Sequence, residues 1–293
     1  MASVSIPGEY ALVEANLGDD PRVRPTARRK RVRWWRGVVL LLAGAYFLLP
    51  IYAGLKFTFE DIYGKFSFQA VKNLPTAPGF HDAFWLSMRL GLITVAVSAA
   101  LLVPTSIYVH LRLPRLRRLL EFVTILPIVI PPIILILGVL GSAPLWAKSS
   151  PYLLSFEYVI LSMPFVYRSL DAGLSAIDLK TLVEASRSLG ASWTQTIGRV
   201  VLPNMRPALL SAMVLTLALV LGEYTMALLD GWITIPVWIA EFNTASNGHI
   251  QVAASMIGLI GTWFVLILIV SLDRSGARRS RRRVRNFQTP KEQ

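Results

Sequence analysis

The sequence predicts an all-α polytopic membrane protein with six transmembrane helices and both termini on the cytoplasmic side. First, 54% of its 293 residues are hydrophobic and only 16% charged, with mean hydropathy +0.54; a soluble domain's surface usually carries about 25–35% charged residues. Second, six apolar stretches approach the length needed to cross a hydrocarbon core, roughly 20 residues for about 30 Å. Third, with both termini inside, 25 of the 30 Lys and Arg residues fall on the cytoplasmic side, the asymmetry that orients membrane helices. So much apolar surface also excludes a disordered chain, and a chain without cysteine builds no disulfide scaffold.

Residues 1–36 form a basic tail with a run at Arg28–Arg33, and residues 273–293 form another with a run at Arg278–Arg285. A net charge of +13 would ordinarily suggest nucleic acid as a partner. Counted by segment, however, the charge orients helices and sits against anionic headgroups, so membrane lipids are expected and nucleic acid is not. Between the tails, residues 37–272 make the transmembrane domain. The first span, 37–55, has no small-x-small cleavage site ahead of Lys56 and reads as an anchor. The second, 90–111, runs into a short loop carrying Arg112, Arg115, Arg117 and Arg118. The third, 122–140, contains Pro127, Pro131 and Pro132, which break or kink it. The fourth, 152–167, is short and contains Glu157; the fifth, 207–229, contains Glu223; the sixth covers 252–272. Outside the fifth span, Trp232, Trp238 and the apolar run 233–240 suit a short interfacial helix or a re-entrant segment.

Catalytic constellations are missing. The three histidines, His81, His110 and His249, are scattered, and no His-Glu-x-x-His, Gly-x-Ser-x-Gly or phosphate-loop motif occurs. Gly64-Lys65 is followed by Phe66, so ATP has no such loop here. No catalytic residue, no metal and no cofactor is expected.

The long cytoplasmic loop, 168–206, reads as ordered structure. Asp178 is a good N-cap, and Leu179, Leu182, Val183, Ser186 and Leu189 follow at helical spacing. Gly190 stands where a left-handed residue stops a helix, and Ser192-Trp-Thr-Gln195 is a capping-box pattern that opens a second one. Two readings of the apolar stripe stand: packing on the chain's own bundle, or docking into a groove on a partner.

The run Glu184-Ala185-Ser186, three residues, Gly190, nine residues, Val200, one residue, Leu202-Pro203 resembles the EAA loop of bacterial ABC importer permeases. Ser186 replaces the third residue, Ala, and Val200 replaces Ile; every spacing matches. The resemblance extends from about residue 82 to 273. It includes the proline-rich third span and Leu221-Gly222-Glu223-Tyr224, similar to a segment of permeases for polyamines, ferric iron, thiamine, sulfate and molybdate.

The resemblance implies a type I ABC importer permease fold in the bacterial inner membrane, and a subunit that is not itself an enzyme. Implied partners are cytoplasmic ABC ATPase subunits, which hydrolyse the ATP, a second homologous permease, and an extracytoplasmic substrate-binding protein. It assigns Glu184, Ala185, Ser186, Leu189, Gly190, Val200, Leu202 and Pro203 to ATPase coupling. Membrane-embedded acids usually face an interior or a wet cavity. Glu157, Glu223 and Tyr224 are therefore candidates for the substrate path, where two carboxylates would favour a cation. A polyamine of the spermidine or putrescine kind is the expected substrate. Ferric iron, thiamine, or an oxyanion such as sulfate, molybdate or phosphonate is the alternative. Two bland readings stand beside this: Glu223 as a hydrogen-bonding residue at a helix contact, and Glu157 reaching to the interface. A membrane-embedded enzyme or secondary carrier would leave the loop without a purpose.

Overall fold

The computed structural model describes residues 34–60, 63–241 and 248–264, with 267 and 271. Both basic runs and the end of the sixth predicted span lie outside these residues. By internal contacts the chain divides after Pro50 into residues 1–50 and 51–293. Of the first unit, residues 34–50 are the start of helix α1 (Trp34–Thr58), and their side chains are almost all exposed. A helix that is apolar all round suits lipid.

In the second unit the long α2 (Phe80–Arg112) packs against α5 (Tyr152–Ser175) and α8 (Arg206–Gly222), and these three helices form the centre of the bundle. Small and hydroxyl side chains hold them close, as expected where no water drives helices together. Thr94 Oγ1 donates to the Ser155 carbonyl at 3.3 Å, and the hydroxyls of Ser98 and Ser162 meet at 3.2 Å. Gly173 on α5 lies so near α8 that a Cβ there would stand 2.3 Å from Ala208 Cβ. Around this centre lie α3 (Arg117–Val129), α4 (Pro132–Ser142), α9 (Thr225–Leu229), α10 (Ile235–Glu241) and α11, residues 248–264. Two further helices, α6 (Leu179–Ser188) and α7 (Trp193–Asn204), form the predicted cytoplasmic loop.

The all-helical class holds for the described residues, apart from one bridge between Glu60 and Phe66. Among the described residues, two helices are long and apolar enough to cross a membrane alone, and up to four if each bent pair is one span. Helix α5 is not among them; its buried face carries Ser155, Glu157 and Ser162, which meet protein rather than lipid.

The break expected in the third span is present: Pro114–Val129 and Pro132–Ser142 meet at 96°. The break sits at Ile130, which is extended as a residue before proline must be, while Pro127 is accommodated within α3. Two other elements differ from expectation. The fourth helix runs on to Ser175, well past the expected start of the loop at 168. The fifth span is interrupted: α8 ends at Gly222, Glu223 is extended, and α9 starts afresh. The apolar run after Trp232 does form a short helix, α10.

Candidate functional site

The loop between α5 and α8 is built by strong local signals. The Asp178 side chain accepts the Thr181 backbone N–H at 3.3 Å and so starts α6. Hydrogen bonding from Thr181 holds that carboxyl below its ordinary range. At the other end, Gly190 (φ +83°) donates to the Arg187 carbonyl and Ala191 to that of Ser186, the double bond pattern of a Schellman stop. Ser192 and Gln195 then cap α7 reciprocally, at 3.3 and 2.9 Å. Further along α7 the backbone widens into a π turn, Ile197–Val201, where the Leu202 N–H reaches back to the Ile197 carbonyl. Pro203 has no N–H to continue the ordinary ladder, and the Asn204 side chain donates to the Val200 carbonyl at 2.7 Å.

The two helices are fastened to each other and to the bundle. Leu179 and Val183 of α6 and Val201 and Met205 at the far end of the loop share a core with Leu170 and Leu174 of α5. The Ser186 and Thr196 hydroxyls meet, buried, at 3.0 Å. The guanidinium groups of Arg187 and Arg112 lie 5.4 and 5.8 Å from the Trp193 ring centroid, joining the loop to the end of α2.

The eight residues predicted for coupling therefore fall into two groups. Glu184, Ala185, Leu189 and Gly190 are exposed, Leu189 at 89%, and Glu184 is tied only to Lys180 at 3.9 Å. Ser186 is buried and Val200, Leu202 and Pro203 are half-buried; they shape the loop from within.

The three candidates for a substrate path have different surroundings within this chain. Glu157 is 1% exposed beside Tyr158 and Leu154 of α5, so it neither reaches the interface nor opens onto a surface of this chain. Glu223 turns back over the start of α9, accepting the N–H groups of Met226 at 3.0 Å and Ala227 at 3.3 Å. It also accepts the Tyr158 hydroxyl at 3.1 Å. Its place is that of a hydrogen-bonding residue at a helix break. Tyr224 is exposed, at 37%.

Sequence reasoning missed an ionic cluster where α2, α3 and α5 meet. Arg117 donates to both oxygens of Asp171 at 2.7 Å and to Ser175 Oγ at 2.8 Å, and His110 Nε2 stands 3.2 Å from Asp171 Oδ1. The readable signal was Tyr167, Asp171 and Ser175 at i, i+4 and i+8 on one helix face.

The helical bundle thus carries a capped two-helix element with Glu184, Ala185, Leu189 and Gly190 exposed on it. The chain belongs to the family of binding-protein-dependent transport system inner membrane components, whose signature matches residues 93–285. It is thus a non-catalytic, multi-pass component of an inner membrane, and membership implies a binding protein and an ATPase as partners in general. The chain is 27% identical over 241 residues to a probable molybdenum ABC transporter permease protein of Haloferax volcanii, covering 77% of this chain and 86% of that one. It is 28% identical to a putative 2-aminoethylphosphonate transport system permease protein of Salmonella typhimurium, covering 54% of this chain and 61% of the relative. It is 27% identical to a probable sulfate transport system permease protein of Nephroselmis olivacea, covering 68% and 72%.

Proposed function

We propose that this chain is one of two permease subunits in an ATP-driven importer whose cargo is an oxyanion or a phosphonate. Six spans with both termini cytoplasmic would place the loop containing α6 and α7 against the ATPase. Glu184, Ala185, Leu189 and Gly190 would form the docking face, while Ser186, Val200, Leu202 and Pro203 hold its shape. The cargo reading rests on one observation: similar permeases are named for molybdenum, 2-aminoethylphosphonate and sulfate, others for ferric iron, and none of these is named for a polyamine.

The polyamine expectation loses its support on physical grounds as well. It needed two carboxylates facing a path, and in this chain Glu157 is enclosed while Glu223 is engaged by three donors.

The test is uptake by the transporter assembled in proteoliposomes with its ATPase, second permease and binding protein. Radiolabelled molybdate, sulfate, 2-aminoethylphosphonate and spermidine are offered separately. ATP-dependent accumulation of one of the first three, without spermidine, is the expected result. Accumulation of spermidine alone would overturn the cargo assignment.

A further inference from the structure

We infer that Asp171 is a positioning residue for coupling, the joint through which movement of the ATPase-docking loop reaches the base of the bent α3–α4 pair. The inference rests on the reading of the α6–α7 loop as the ATPase-coupling element.

One short stretch of α5 has two differently engaged faces. On one, Leu170 and Leu174 are buried in the core shared with Leu179, Val183, Val201 and Met205, so the loop helices cannot shift without carrying this end of α5. Packed interiors transmit displacement because they have no slack to absorb it. On the other face, Tyr167, Asp171 and Ser175 all hold Arg117, the first residue of α3. The Tyr167 hydroxyl donates to the Arg117 backbone carbonyl at 3.3 Å, Asp171 takes the guanidinium through both oxygens, and Ser175 accepts from Nη2.

A forked Arg–carboxylate pair fixes direction as well as distance, which a single point contact cannot do. Burial adds stiffness: the Asp171 side chain is 25% exposed and that of His110 only 8%. His110 of α2 lies beside the same carboxylate, its Nε2 3.2 Å from Asp171 Oδ1 and its Nδ1 2.9 Å from the Ser106 carbonyl. A second ion pair, Arg168 to Glu121 at 3.6 Å, bridges the same two helices but is far more exposed and lacks the fork. Asp171 is thus the tightest polar connection between the helix that receives the loop's motion and the segment that leads into the 96° bend.

The test uses the full transporter in proteoliposomes and compares Asp171→Asn with the parent. Three quantities are read: co-purification of the ATPase, basal ATP hydrolysis, and uptake per ATP hydrolysed for molybdate, sulfate or 2-aminoethylphosphonate, whichever the parent accumulates. Asp171→Asn is expected to retain the ATPase and its basal hydrolysis but to lose uptake per ATP by about tenfold, within the range typical of coupling between sites. The exchange Arg117→Asp with Asp171→Arg is expected to recover most of it. An Asp171→Asn transporter with the parent's uptake per ATP would overturn the inference, as would uncoupling that the exchange leaves untouched. If Asp171→Asn does not accumulate in the membrane, Arg117→Lys replaces it. That variant keeps the charge and removes the fork, and an unchanged ratio there would equally overturn the inference. Failure of the parent chain to retain any ATPase would instead bring down the coupling-loop reading itself.

Discussion

Gly190 offers a way to separate the shape of the coupling loop from its contact with a partner. Its φ of +83° lies in the left-handed region, where a side chain costs roughly 1–2 kcal/mol. Yet a Cβ built there meets nothing within 4 Å, so the chain itself has room for any residue. Within the isolated subunit, Gly190→Ala should therefore cost this small amount, and Gly190→Asn and Gly190→Asp, whose short polar side chains tolerate this conformation, less. None of these is enough to prevent membrane insertion. In the assembled transporter the order should change if the exposed face beside Leu189 meets the ATPase. Side-chain size and charge would then matter, with Asn and Asp impairing coupling more than Ala. The assay is uptake per ATP hydrolysed in proteoliposomes, together with the amount of ATPase that co-purifies and the amount of subunit inserted. Normal coupling in Gly190→Asp would refute the docking assignment. A loss that simply follows the strain order, with Ala at least as damaged as Asn, would show that only the loop's conformation matters.

Two further substitutions test the packing that supports this loop. Gly173→Val forces atoms into the contact with Ala208, and overpacking of this kind typically costs 1–3 kcal/mol; a lower unfolding temperature in detergent is expected, partly relieved by Ala208→Gly, and an unchanged temperature would mean that the α5–α8 contact is looser than described. Glu223→Ala should destabilise the subunit by about 1–3 kcal/mol, because the donors it satisfies lose their acceptor, while Glu223→Gln keeps an acceptor and loses less. Substrate KM should stay constant in both, and a KM shift without a stability change would return Glu223 to the substrate path.

Local features were legible because their causes lie within a few residues. Asp178, Gly190 and the Ser192–Gln195 pair each act on backbone groups three to five positions away, and all three appear as the spacing predicts. The bend before Pro131 follows from the restriction that proline places on Ile130. The end of α8 was not legible in the same way. Residues 207–229 are apolar almost throughout, and Glu223 stops the helix only because its carboxylate finds the N–H groups of α9 and the Tyr158 hydroxyl, which is supplied from 65 positions away. The Arg117–Asp171 fork spans 54 positions. Arg117 was counted as one of four loop arginines that set topology, and nothing in a count of charges reveals a partner on another helix.

The same limit explains why the family was easier to read than the substrate. The resemblance to a coupling loop lies in one contiguous stretch, so Glu184 to Pro203 could be matched as a pattern. A binding path is a surface, and a carboxylate's depth along a span says nothing about which way it faces. Glu223 is committed within this subunit to the start of α9 and the Tyr158 hydroxyl, whereas the Glu157 carboxylate is buried with no hydrogen-bond partner among the described residues. Charge buried without a partner is costly enough that such groups are normally used for structure or for a specific ligand. On the proposed anionic cargo, selectivity would come from side chains and backbone N–H groups on faces that this chain leaves exposed, or from the binding protein. In the loops expected on the outer side, Lys56, Lys65, Lys72 and Arg89 are exposed and Lys148 is half-buried. Against the 25 basic residues expected on the cytoplasmic side these are few, which favours recognition by the binding protein, with a permease path that passes the anion on without holding it tightly.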